Sequence, residues 1–249
     1  MGVESGMRIL NRDVIKYAAM LAMLLNHIAN IFLAPGTPLY KLFLNIGYFT
    51  AVTMCYFLVE GYEYTRSKEK YGRRLLVFAV LSQIPYSMAF ADGKWIELNG
   101  FNMLFTLYLC FRLIQVMDQV KVREERFARI AVIFLLAVFC DWFVLAPAFT
   151  MLFVRAKDAG KKNTAAFLAS MGMFFAVKFL GGIGMVPLGE NLADSIYAVL
   201  GIGLSGIVIL YFYNGRRMEA GRTFSKWFFY LFYPVHLLVL GIIRIWWKC

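Results

Sequence analysis

Long apolar runs, broken at short intervals by clusters of arginine and lysine, constrain this chain more than any other feature. A helix needs roughly 20 mostly apolar residues to cross the hydrocarbon core of a bilayer. Runs that reach or approach this length recur from residue 14 to residue 247. Of all residues, 61% are hydrophobic and 16% charged, against roughly half and a quarter in soluble domains. Such a composition leaves too little charge for a water-facing surface and rules out disorder. The net charge of +11 does not point to nucleic acid, because the basic residues sit between apolar runs, as cytoplasmic loops do. The lipid bilayer is the expected partner, and nucleic acid is not.

The pattern predicts an all-α, polytopic transmembrane helical bundle of about nine spans. They are placed at 14–34, 41–62, 74–91, 101–117, 129–141, 143–156, 163–180, 192–213 and 226–247. The first is too long for a signal core and lacks a small-residue cleavage site, so it reads as a retained anchor. Arg8, Arg12 and Lys16 precede it. Further clusters are Arg66, Lys68, Lys70, Arg73 and Arg74, then Lys121, Arg123, Arg126 and Arg129, then Arg155, Lys157, Lys161 and Lys162, and last Arg216, Arg217, Arg222 and Lys226. The positive-inside rule puts all of them in the cytoplasm, with the amino terminus inside and Cys249 outside. This requires residues 129–156 to form a short hairpin turning at Cys140, Asp141 and Trp142, because one tilted span would put two basic loops on opposite faces. Arms that short are tolerated where backbone is buried against protein or lines a cavity.

No repeat or linker is visible, so residues 1–249 read as one transmembrane domain in a multi-pass plasma membrane protein. The four cysteines lack metal or redox spacing and read as apolar fillers. Small residues Gly201, Gly203, Ser205 and Gly206 suit close helix packing.

Ionisable groups at membrane depth are the default functional candidates. Both histidines, His27 and His236, lie inside spans, and each comes to about 15–17 Å from the cytoplasmic edge. Asn26 and Asn30 share a polar stripe with His27. Further candidates are Glu60 near the inner end of the second span, Gln83, Asn102, Thr106, Asp141 at the hairpin turn, and Tyr233 before His236. Arg112 is expected to snorkel or to pair with Asp118. Two histidines without a carboxylate at ligand spacing do not make a zinc site, so no metal is expected.

The run Met23-Leu-Leu-Asn-His-Ile resembles the first-helix motif of the TraX family, usually written with Asp where this chain has Asn26. Phe57-Leu-Val-Glu-Gly-Tyr, Thr65-Arg, and Lys70-Tyr-Gly-Arg-Arg-Leu-Leu resemble that family's next block. Ser82-Gln-Ile-Pro-Tyr follows, with Gln83 where Glu is common. Asn102-Met-Leu-Phe-Thr-Leu and Phe228-Phe-Tyr-Leu-Phe-Tyr-Pro-Val-His-Leu complete the resemblance. It implies a bacterial cytoplasmic membrane acetyltransferase, like the namesake that acetylates a conjugative pilin amino terminus, and a relation to the acyltransferase-3-like membrane families.

The chemistry so implied is transfer of acetyl from cytoplasmic acetyl-CoA to an amine or hydroxyl, on a protein amino terminus or a glycan. His27 would be the general base, a role suited to imidazole near neutral pH, and His236 a second catalytic group or an orienter. Asn26, Asn30 or Asn102 would donate to the developing oxyanion. Arg66, Lys70, Arg73 and Arg74 would hold the phosphates of coenzyme A. Glu60, Gln83, Asp141 and Tyr233 are the remaining substrate-binding candidates. The alternatives are a transporter or channel using the polar stripe, and a non-catalytic pilus-assembly accessory protein.

Overall fold

The computed structural model describes residues 8–158 and 163–248. Lys161, Lys162 and Cys249 lie outside the described residues. Among the described residues the chain is helical without strands, in nine α-helices. They are α1 (Arg12–Phe32), α2 (Pro38–Tyr64), α3 (Lys68–Ala89), α4 (Met103–Gln119), α5 (Arg123–Ala137), α6 (Leu145–Asp158), α7 (Thr164–Gly182), α8 (Leu188–Ile207) and α9 (Arg222–Lys248). A π-helical turn, Val208–Phe212, extends α8.

Each expected span coincides with one helix. Five helices are long and apolar enough to cross a membrane: α1, α2, α7, α8 with its π turn, and α9. The others fall short for two reasons. At 17, 15 and 14 residues, α4, α5 and α6 are below the roughly 20 residues that a bilayer requires. The first two turns of α3 carry Lys68, Glu69, Lys70, Arg73 and Arg74, which suit a headgroup or water better than hydrocarbon.

Capping residues set the starts. Asn11 accepts from the backbone N–H groups of Asp13 and Val14, each at 3.0 Å. Ser67 accepts from Lys70 at 3.2 Å. Between α5 and α6 the helix breaks over the expected residues, and Trp142 takes a left-handed φ of 58°.

The helices fall into two compact units. One takes the chain through Ala29, then Leu33–Met54 and Leu152–Ala220. The other takes Asn30–Phe32, Cys55–Met151 and the chain from Gly221.

In the first unit the small residues act as the sequence suggests. A Cβ on Gly201 would sit 2.4 Å from the carbonyl oxygen of Asn45, so α8 lies against the α2 backbone there. Gly206 meets the Phe167 ring of α7 at 3.2 Å, and Ser205 bonds Thr53 of α2 at 2.6 Å. The segment before α1 is pinned to the turn after α8, where Leu10 N–H donates to Phe212 and Asn214 N–H to Leu10, each at 2.9 Å. Asp13 then accepts from the Met218 N–H at 2.8 Å.

In the second unit, α3 packs on α4 and α9. Gly72 leaves room for Phe111, which a Cβ would approach to 2.7 Å, and Gly241 lies against Ala89. Leu113, Val116 and Ile133 join α4 to α5, with Met151 of α6 packed against them. Cys55 and Cys110 are fully buried here, and Cys140 is half-buried. Arg112 does not pair with Asp118; it donates to Gln115 at 2.8 Å, one turn on. Asp118 is taken instead by Lys68 and Tyr62, both at 2.9 Å. The Lys68 ammonium and the Tyr62 hydroxyl hold its carboxyl below the ordinary carboxylate range.

Candidate functional site

The start of α4 organises the polar side chains of the second unit. A helix begins with backbone N–H groups that have no intrahelical partner. Here Asn102 caps Leu104 N–H at 3.0 Å, and the Tyr233 hydroxyl of α9 accepts from Met103 N–H at 3.1 Å. The Asn102 amide donates to the Ala79 carbonyl at 2.8 Å and to Gln83 Oε1 at 2.9 Å. Gln83 Oε1 also accepts from Asn102 N–H at 3.2 Å, and its Nε2 donates to the Gly100 carbonyl at 2.9 Å. Carbonyls only accept, so both amide orientations are fixed by their partners. Both hydrogens of the fully buried Asn102 amide are spent on protein. In this structure Asn102 and Gln83 fasten α4 to α3.

Asp141 joins the same region through its backbone. Its N–H donates to Phe101 at 2.7 Å, and its carbonyl accepts from the Thr106 hydroxyl at 2.5 Å. Its carboxylate accepts from the N–H of Trp142. These bonds hold Trp142 at its left-handed φ, a conformation that costs a side-chain-bearing residue of order 1–3 kcal/mol.

His236 lies one turn past Phe232 on α9. Its Nδ1 is 2.6 Å from the Phe232 carbonyl, so Nδ1 carries the proton and Nε2 is the basic nitrogen. The ring stacks on Phe232 at 4.7 Å and meets Tyr233 edge-on at 5.6 Å.

The basic residues after α2 gather at the start of α3. Arg66, Lys70 and Arg73 are exposed, and Arg74 is half-buried. The Arg74 guanidinium lies 5.9 Å from the Tyr71 ring and 6.0 Å from Tyr230. Phe78 stacks on Tyr230 at 4.9 Å. Among the described residues no carboxylate pairs with Arg74, and its buried Nε has no hydrogen-bond partner. Half-buried Glu60 lies one turn past Tyr56 on α2, within electrostatic range of it.

His27 belongs to the first unit, where it is 6% exposed on α1. Asn26 donates to the Leu44 carbonyl of α2 at 3.1 Å, and Gly47 makes this approach possible, since a Cβ there would overlap Asn26 at 2.2 Å. Asn30 is exposed. The two positions where the TraX-like motifs carry a carboxylate thus hold amides that donate to backbone carbonyls, Leu44 for Asn26 and Gly100 for Gln83. An ionised carboxylate could donate to neither.

Lys178 and Arg244 are not among the sequence candidates, although the cost of charge at membrane depth singles out both. Lys178 donates to the Tyr48 hydroxyl at 3.2 Å. Arg244 is 4% exposed and donates to the carbonyls of Met88 at 3.1 Å, Ala91 at 2.8 Å and Lys94 at 2.7 Å.

No solved structure matches the chain. A fimbrial assembly relative from Dichelobacter nodosus, named "Probable fimbrial assembly protein FimC, serogroup H1", is 33% identical over 245 residues. That match covers 91% of this chain and 92% of the relative. The family profile described as TraX protein matches residues 11–244, which takes in every candidate residue above. This chain belongs to the TraX protein family.

Proposed function

We propose that this protein is an acetyltransferase of the bacterial cytoplasmic membrane, using acetyl-CoA to acetylate an amine or hydroxyl. Membership of the TraX family supports the reaction class, and the name of the fimbrial relative favours a pilin amino terminus as acceptor. Kinship with the acyltransferase-3-like membrane families is part of the same proposal.

The observation that carries the donor half is Arg74. A guanidinium half-buried beside two tyrosine rings, with no carboxylate partner among the described residues, suits a phosphate. Lys70 and Arg73 stand beside it on α3, and Arg66 just precedes that helix. In the reaction the acceptor's lone pair attacks the thioester carbonyl, and His27 takes the acceptor's proton. The carbon–sulfur bond breaks, the new amide or ester keeps the acetyl group, and coenzyme A leaves as a thiolate that is then protonated. Mass spectrometry of purified protein and pilin peptides after incubation with labelled acetyl-CoA tests this reading. Acceptor assembly without turnover would favour the accessory role that the relative's name also fits.

Replacing Arg73 and Arg74 together with alanine should weaken acetyl-CoA binding by about 10–100-fold, the loss expected for one or two charge-assisted bonds. The thermal midpoint should move little. An unchanged dissociation constant would leave both arginines as topology signals.

The proposed topology has the amino terminus and the basic clusters inside and Asp141 outside. In a background without the natural cysteines, Asp141→Cys and Lys157→Cys should label from opposite faces. Labelling from the same face would rule out an external hairpin turn.

A further inference from the structure

We propose that Lys178 and Tyr48 form a binding site for the phosphodiester group of an anionic phospholipid, in the leaflet at the α7–α8 turn. The site lies wholly within the first unit and is independent of the acetyl-transfer reading. The α7 helix of 19 residues rises about 28 Å, so Lys178, four residues before its end, starts about 6 Å below that end. The lysine stem is long enough to lift its ammonium to the headgroup level.

Tyr48 fixes the position of that ammonium. The ammonium donates to the Tyr48 hydroxyl at 3.2 Å, and the Phe174 ring fixes the phenol edge-on at 4.8 Å. Tyr48 is itself 8% exposed, against the α2–α8 contact at Gly201. Two further ammonium N–H groups have no acceptor among the described residues, and no described carboxylate lies within ion-pair reach. The nearby Asp194 is taken by Lys41 at 2.7 Å, with Glu190 also in range of that lysine.

A cation so placed needs an anion from outside the protein. The turn above it is apolar and exposed at Ile183, Met185, Val186 and Leu188, which suits immersion at the bilayer surface. The anion at that level is a lipid phosphate. Anionic lipids suit it best, because a zwitterionic headgroup brings its own cation to the phosphate.

The test is native mass spectrometry of the full chain, purified from mixed phosphatidylglycerol and phosphatidylcholine. Wild type should retain phosphatidylglycerol preferentially, and Lys178→Met should retain about tenfold less, the loss of one charge-assisted bond. Tyr48→Phe should show a partial loss, and Lys41→Met none. Inorganic phosphate at millimolar concentration should not displace the lipid; displacement would assign the site to free phosphate and overturn the lipid proposal. Equal retention of the two lipids by wild type, or undiminished retention by Lys178→Met, would also overturn it. The basic loops also attract phosphatidylglycerol, so the deciding comparison is Lys178→Met against Lys178→Arg, which keeps the charge. The arginine variant should retain the lipid, and equal retention by the two variants would also overturn the site.

Discussion

Under the proposed acetyl-transfer reaction, replacing His27 with glutamine should cut turnover by about 10²–10⁴-fold, the range a positioned general base contributes. Acetyl-CoA affinity should stay near the wild-type value. A base acts on the proton released during attack, so it stabilises the transition state more than the bound donor. Glutamine keeps a polar side chain at a position only 6% exposed, which limits any packing loss. It cannot accept a proton near neutral pH. His27→Ala should have the same kinetic consequence. A single-turnover assay with labelled donor separates the step from binding, and turnover retained in His27→Gln would remove the general-base role. His236→Ala should cost less. Its Nδ1 is already committed within its own helix, to Phe232, and its ring is held between two aromatic neighbours.

The helices were legible because lipid leaves the backbone few options. With no water to satisfy N–H and C=O groups, an apolar run must close its hydrogen bonds internally, so each run became a helix. Span count was harder to read, because hydropathy does not report helix length. Residues 129–156 contain enough apolar residues for one long helix, yet the chain breaks at Asp141 and Trp142 into arms of 15 and 14 residues. The break depends on bonds from Phe101 and Thr106, about 35–40 positions earlier in the chain. No local pattern records them.

Among site residues, seeking polar groups at depth finds those that bond at the start of α4, but not the bonds they make. The sequence marks Asn102, Gln83 and Tyr233 as candidate substrate contacts or oxyanion donors. The structure spends them on the first amides of α4 and on the Ala79 and Gly100 carbonyls. Spacing cannot reveal this, because it depends on which carbonyl faces which amide across three helices. Arg112 illustrates the same limit: Asp118 is near enough in sequence, but Tyr62 of α2 and Lys68 of α3 reach it from two other helices. Lys178 and Arg244 each stand near a helix end, where a lone charge in the sequence resembles an interfacial anchor.

Replacing Arg244 with glutamine should lower stability by about 2–5 kcal/mol, the largest structural effect expected from a single substitution in the second unit. All three guanidinium nitrogens are engaged: Nε with Met88, Nη1 with Ala91, and Nη2 with Lys94. These carbonyls lie at and just past the end of α3, where the helix leaves its last C=O groups without partners. A cation there also offsets the negative end of the helix dipole. Gly241, one turn earlier on α9, lets that helix approach Ala89 closely enough for the guanidinium to reach all three oxygens. Glutamine has two donors on a shorter stem and would strand at least one carbonyl. Lysine keeps the charge but not the fork, so Arg244→Lys should fall between the two. The segment from Phe90 to Gly100 would then lose its anchor, although Asn99 and Glu97 still bond to Phe90 and Ser87. Trypsin should cut Arg244→Gln faster at Lys94, an exposed residue whose carbonyl Arg244 holds. An unchanged thermal midpoint together with unchanged cleavage at Lys94 would show that the guanidinium is incidental to the fold.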